Sequence, residues 1–72
     1  MSKLEQAVVM MRKEAAESAE QKLGRSLVDA ERTGIEAVKS MMMLEAMCQS
    51  FAFEGYSAER IAADVASLAA II

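Results

Sequence analysis

Histidine and tryptophan are absent from the 72-residue sequence, and Cys48 is its single cysteine. One cysteine cannot form a disulfide within the chain, so no bridge can compensate for a small core. Without histidine, the usual zinc ligand sets and the commonest general base are missing. We therefore expect no catalytic residue, no metal site and no bound cofactor, and we expect Cys48 to be a buried, unreactive thiol. An enzyme is the least expected class of protein.

Residues that interrupt helices are also scarce, because the chain has no proline and only three glycines. Good helix formers such as alanine, methionine, leucine and glutamate are abundant. No segment alternates polar and apolar residues for long enough to form a strand. The sequence therefore predicts an all-α protein, with residues 1–72 forming a single small helical domain.

Positive charge is sparse, since the net charge is −3 and the basic residues are scattered along the chain. No segment forms the dense basic patch that contacts with phosphates require, so we do not expect direct nucleic-acid binding. One alternative remains open, in which a dimeric regulator of nucleic acid gathers its cations onto one face. The residues involved would be Arg12, Lys13, Lys22, Arg25 and Arg32.

Long uncharged apolar runs are missing as well. The most apolar stretch, residues 35–53, contains Glu36, Lys39 and Glu45, and residues 61–72 are too few to span a bilayer. The first residues lack the apolar region of a signal peptide. Together with the single thiol, these features predict a cytoplasmic protein that does not associate with membranes.

An apolar stripe at steps of three and four residues runs from Leu4 to Met41 without a change of phase. This spacing favours one long helix over residues 2–53. Gly24 and Thr33 are the alternative positions for a break, because glycine commonly ends a helix and Thr33 begins a sequence of capping-box form. Both alternatives stay open at the level of the sequence.

A clearer boundary lies at residues 54–57, where Gly55 can end one helix and Ser57 can cap the next. A last helix is predicted from Ser57 to Ile72. Because short connections normally join antiparallel neighbours, we expect this helix to fold back on residues 41–53 as a helical hairpin.

Two smaller features concern contacts between helices. Ala30 and Gly34 form a small-x-x-x-small pair that either lets two helix backbones approach closely or marks a local bend. Phe51, Phe53 and Tyr56 cluster just before the last turn, where they are expected to pin the last helix to the preceding one.

The segment from Ser40 to Phe53 is apolar around most of a helix circumference and carries one charge, Glu45. A chain of this length has little of its own with which to cover such a helix. We therefore expect an oligomeric helical bundle, with another protein or a second copy as partner. The predicted partner-binding residues are Met41, Met43, Leu44, Met47, Phe51, Phe53, Ile61, Val65, Leu68 and Ile72.

These observations favour a non-enzymatic protein that acts through protein–protein interaction, such as a small cytosolic adaptor, chaperone subunit or inhibitor. Its contact surface is a methionine-rich helix, and methionine side chains adapt readily to varied apolar targets. Two alternatives remain: an obligate homo-oligomer whose apolar surfaces serve only self-assembly, and the nucleic-acid regulator described above.

Overall fold

The computed structural model describes residues 2–71, and it contains four helices and no strand over that range. They are α1 (Lys3–Leu23), α2 (Asp29–Glu36), α3 (Met41–Ala52) and α4 (Ala58–Ile71). The helices pack together as a small bundle, which confirms the all-α prediction.

Helix α1 begins and ends at the residues that the sequence offers as caps. The Ser2 hydroxyl accepts a hydrogen bond from the Glu5 amide at 3.2 Å. Gly24 takes a left-handed conformation with φ of 70°, and its N–H donates to the Glu20 carbonyl at 2.9 Å. With 21 residues, α1 is roughly 31 Å long at about 1.5 Å per residue. The longest dimension of the molecule is 34 Å, so α1 runs along nearly all of it.

The long helix over residues 2–53 does not form. The chain breaks after Gly24, as one alternative predicted, and breaks again at residues 37–40 rather than near Thr33, which lies within α2. Helix α3 restarts at Ser40, whose hydroxyl accepts from the Met43 amide at 3.3 Å. Several residues of the apolar stripe are nevertheless buried, because the successive helices turn them toward the interior: Ala15, Ala19, Leu27 and Val38.

Helix α2 runs antiparallel to α1. Near its start, the Arg32 guanidinium lies 2.8 Å from the Glu20 carboxylate on the last turns of α1. Just beyond its end, the Val38 carbonyl accepts two hydrogen bonds from the Arg12 guanidinium, at 3.0 and 2.8 Å. The contact between Arg12 and Val38 fixes the connection between α2 and α3 against the first half of α1.

Helix α3 lies against α1 and runs in the same direction. The Cys48 thiol is 3.3 Å from the Met11 carbonyl, and the Lys22 ammonium donates to the Phe53 carbonyl where α3 ends. Later residues of α3 therefore meet later residues of α1. In this arrangement α2 is the crossover that returns the chain to the starting end of α1.

Helix α4 folds back onto the earlier helices, as predicted, but its main neighbours are α2 and α1 rather than residues 41–53, on which it was expected to pack. The reason lies at Gly34. A Cβ atom added there would stand 2.8 Å from the Leu68 carbonyl carbon, so only glycine lets the two backbones meet. Of the small-residue pair, Gly34 therefore lies at a close crossing of two helices of the same chain. Ala30 is exposed and takes no part in the crossing.

The turn before α4 lies where the sequence predicted it. The Ser57 hydroxyl accepts from the Arg60 amide at 3.2 Å and caps the helix. Gly55 is not left-handed, since Gly24 is the one described residue with positive φ. Instead, the Phe53 ring leaves no room beside it, because a Cβ atom at Gly55 would lie 2.6 Å from that ring.

A small apolar core fills the space between the helices, and all four contribute to it. The Phe51 and Tyr56 rings meet within it at a tilted angle, with 6.2 Å between centroids, so two of the three clustered aromatic residues anchor the turn into α4. The buried apolar residues of the described range are Ala15, Ala19, Leu27, Ile35, Val38, Leu44, Phe51, Ile61 and Val65.

Candidate partner-binding site

The predicted partner-binding residues divide into buried and accessible groups. Leu44, Phe51, Ile61 and Val65 are buried inside the single chain, where they hold the helices together. In the single chain their side chains are covered by its own helices, and their part in partner binding stays a prediction. Sequence periodicity could not make this distinction, because a core stripe and an interface stripe have the same helical spacing.

The accessible group includes Met43, which is 50% exposed, and Phe53, which is 65% exposed. Met41, Met47 and Leu68 are half-buried, and Met47 and Leu68 also pack against the core. Ile72 lies outside the described residues. Met43 and Leu68 come together at one site, whereas Phe53 lies at the opposite end of α3.

That site is a cleft of about 280 Å³, which we call the methionine cleft. It lies where the connection between α2 and α3 meets the last turns of α4, and Lys39 is the one charged residue that lines it. Its volume falls just below the roughly 300–1,000 Å³ of small-molecule sites, so it suits an apolar side chain better than a cofactor. The lining residues are Gly34, Ala37, Val38, Lys39, Ser40, Met43 and Leu68.

Local structure explains how these residues meet. Arg12 holds the Val38 carbonyl, and Ser40 caps α3, so the walls of the methionine cleft belong to a fixed connection. The absence of a side chain at Gly34 brings the Leu68 turn of α4 close to α2. The result is an apolar recess whose shape depends on three helices.

Some residues of this surface were not among the predicted partner-binding residues. Met42 is 80% exposed beside the methionine cleft and extends the apolar surface away from it. Val38 and Gly34 form part of the wall. Val38 lies on the apolar stripe, and the small-residue pair pointed to Gly34, but neither pattern indicates which residues surround a cavity.

A wider groove of about 690 Å³ runs between α1 and α2. Its apolar floor includes Val9, Ala16 and Ile35, and side chains of both charges line its sides. Arg32 and Glu20 are already paired with each other there. A groove with this mixed and partly neutralised lining presents no single charge to a ligand.

Most of the cations that could have formed a basic face are bonded within the chain. Arg12 donates to Val38, Lys22 to the Phe53 carbonyl, Arg25 to Glu31, and Arg32 to Glu20. These bonds hold connections and helix ends in place. Lys13 lies on the exposed side of the groove described above.

Cys48 is half-buried rather than fully buried, and its thiol lies against α1. Burial raises the pKa of the thiol above its ordinary value, and the charge of Glu14 adds to the effect. A raised pKa leaves little thiolate near neutral pH, and the thiolate is the reactive form.

Within residues 2–71 there is no group of three or more acidic, cysteine or histidine residues arranged to hold a metal ion. None of the described helices is both long and apolar enough to cross a bilayer.

Comparison with known proteins found no matching family model, no matching curated protein and no matching solved structure.

Proposed function

We propose that this protein is a non-enzymatic binding module, a small cytosolic adaptor, chaperone subunit or inhibitor that accepts an apolar side chain of another protein in the methionine cleft. The observation that carries the proposal is the exposed Met43 side chain in the lining of an apolar recess. Exposed apolar clusters of this kind are typical of interaction surfaces.

The chemistry of the lining supports this use. Val38 and Leu68 provide branched apolar walls, and Met43 is unbranched and polarizable, so it can adjust to side chains of different shape. A surface of this kind binds by fit rather than by a fixed pattern of hydrogen bonds. It is suited to the apolar face of a partner helix.

The self-assembly alternative uses the same kind of exposed apolar surface. The nucleic-acid alternative has less support, because Arg12, Lys22, Arg25 and Arg32 each donate to acceptors within the chain. Cations already engaged in this way contribute less to phosphate binding.

The test compares two methionines that are similarly exposed. Met43→Glu places a charge in the methionine cleft, whereas Met10→Glu places one on the outer side of α1, where Met10 is 63% exposed. Immobilised wild-type and variant proteins are incubated with extract of the cells that make the protein, and retained proteins are quantified by mass spectrometry. Circular dichroism checks that both variants remain folded.

We expect at least one protein to be retained by the wild type and by Met10→Glu, and to be lost with Met43→Glu. The same retained proteins on all three baits would contradict the proposal. So would loss on both variants, because that result would reflect a general effect of added charge and not the methionine cleft.

A further inference from the structure

A second apolar surface lies on α3, opposite to the side that packs on the core. Leu44 and Phe51 point inward, and the residues half a helical turn away form an exposed row. We call this row the outer stripe of α3. It consists of Met42, Ala46, Gln49 and Phe53.

The outer stripe is self-complementary when read in opposite directions. If a second α3 lies antiparallel across it, Met42 of one copy meets Phe53 of the other, and Ala46 meets Gln49. Both contacts occur twice, as a twofold axis requires. Ala46 and Gln49 lie equally close to the axis, and the small side chain of Ala46 leaves room for Gln49 of the other copy.

Charge at the ends of the outer stripe fits the same arrangement. Lys39 lies two residues before the first residue of α3, Glu54 lies two residues after its last residue, and both are exposed. An antiparallel pair brings Lys39 of each copy to the end that carries Glu54 of the other. A parallel pair would instead place Lys39 beside Lys39 and Glu54 beside Glu54, which is unfavourable.

We propose that two copies of this chain form a twofold dimer by packing the outer stripes of α3 antiparallel, with Lys39 and Glu54 pairing across the interface. This dimer would cover the exposed apolar side chains of Met42 and Phe53. It lies beyond the partner-binding function and uses the neighbouring side of α3, although Lys39 belongs both to the lining of the methionine cleft and to the proposed dimer contact.

The first experiment measures mass by light scattering and sedimentation equilibrium of the full chain. A dimer has about twice the chain mass of 7.8 kDa. Ala46→Glu puts two like charges next to the twofold axis, and we expect it to weaken dimerisation by at least about tenfold. Met10→Glu adds the same charge to exposed α1 and should leave the dimer unchanged.

The second experiment exchanges the end charges. Lys39→Glu and Glu54→Lys should each weaken the dimer by roughly threefold or more, because each creates a like-charge pair at both ends. The double variant restores opposite charges across the interface and should regain most of the wild-type affinity. The double variant can regain dimer affinity only if residue 39 of one copy lies close to residue 54 of the other.

Several results would overturn the proposed dimer. One is a chain that remains monomeric up to about 0.5 mM, where even weak association becomes visible. Another is a dimer that tolerates Ala46→Glu but is lost with Met43→Glu, which would place the copy contact at the methionine cleft. A charge-exchanged double variant weaker than either single variant would rule out the antiparallel pairing. These measurements use the purified chain alone, so they do not require a partner protein in the methionine cleft.

Discussion

The two ends of the bundle are built differently. At one end, which we call the closed end, lie the connection of residues 24–28 and the turn before α4. Side chains bond to the backbone of both. Glu20 accepts from the Leu27 amide at 2.8 Å, and Lys22 donates to the Phe53 carbonyl. Tyr56 adds a hydrogen bond to the Asp64 carboxylate, which raises the pKa of the tyrosine.

The opposite end, which we call the open end, contains the connection of residues 37–40, the first turn of α1 and the last turns of α4. Its main polar tie is the Arg12 guanidinium on the Val38 carbonyl. Apolar side chains are exposed around it, among them Leu4, Met42 and Met43. The methionine cleft opens here.

From this contrast we infer that the two ends contribute differently to the stability of the fold. Polar bonds at the closed end satisfy backbone groups that helix ends leave without partners, and they fix the paths of both connections. The open end keeps apolar surface exposed, which adds little to the stability of the single chain. We expect substitutions of the buried or hydrogen-bonded side chains at the closed end to change folding, and substitutions of the exposed apolar side chains at the open end to leave folding nearly unchanged.

The sharpest test compares phenylalanines near the closed end with a methionine at the open end. Phe51 is 1% exposed, so Phe51→Ala should lower the free energy of unfolding by about 3–5 kcal/mol. A domain of this size has only about 3–5 kcal/mol in total, so the variant should be largely unfolded at 25 °C. Phe53→Ala and Met42→Ala should change stability by less than about 1 kcal/mol. Urea denaturation followed by circular dichroism measures all three.

A cooperative unfolding transition for Phe51→Ala close to that of the wild type would show that the core does not depend on this ring. A large loss of stability for Met42→Ala would also contradict the contrast between the two ends, because it would make the open end part of the folding core.

The next largest effect is expected at the crossing of α2 and α4. Gly34→Ala adds a Cβ atom 2.8 Å from the backbone of α4, and neither backbone can move aside without separating the helices. Overpacking of this kind should destabilise the fold by about 1–3 kcal/mol. In Gly55→Ala the new atom meets the Phe53 ring, an exposed side chain that can rotate away, so a smaller change is expected. Thermal unfolding of the two variants gives the comparison, and equal losses would argue against the close crossing.

The sequence predicted the features that depend on neighbouring residues. The helical class, the caps at Ser2 and Ser57 and the possible break at Gly24 all follow from local preferences. The break at residues 37–40 was missed, because no glycine or proline marks it and the apolar spacing continues through it. Ser40 was its one local signal, as an N-cap.

The candidate site was predicted less well for a physical reason. Helical spacing identifies which residues are apolar on one face, but it does not show whether a neighbouring helix already covers that face. Leu44 and Met43 are adjacent in the sequence, yet one is buried and the other half exposed. Only the path of the chain after Glu36, with α2 as a crossover, decides between them.

The smallest expected effect concerns the connection at the closed end, where Glu31 is buried and accepts from Arg25 and from the Val28 amide. The hydrogen bonds from the Arg25 guanidinium lower the pKa of Glu31, and the Val28 amide adds to this. Glu31→Gln removes the charge and weakens the cap of α2, which should cost about 1 kcal/mol at neutral pH. Glu36→Gln, on an exposed position of the same helix, is the matched control.

The pH dependence makes this prediction specific to the charge of Glu31. A carboxyl group whose pKa is lower in the folded state stabilises the fold above its unfolded value of about 4.3, and this contribution is lost as the pH falls through the folded value. The stability difference between wild type and Glu31→Gln should therefore be largest near pH 7 and shrink below about pH 4. Urea denaturation across this range measures it. A stability difference that stays constant with pH would mean that Glu31 acts through packing alone. The ion pair between Arg25 and Glu31 would then contribute little to the stability of the closed end.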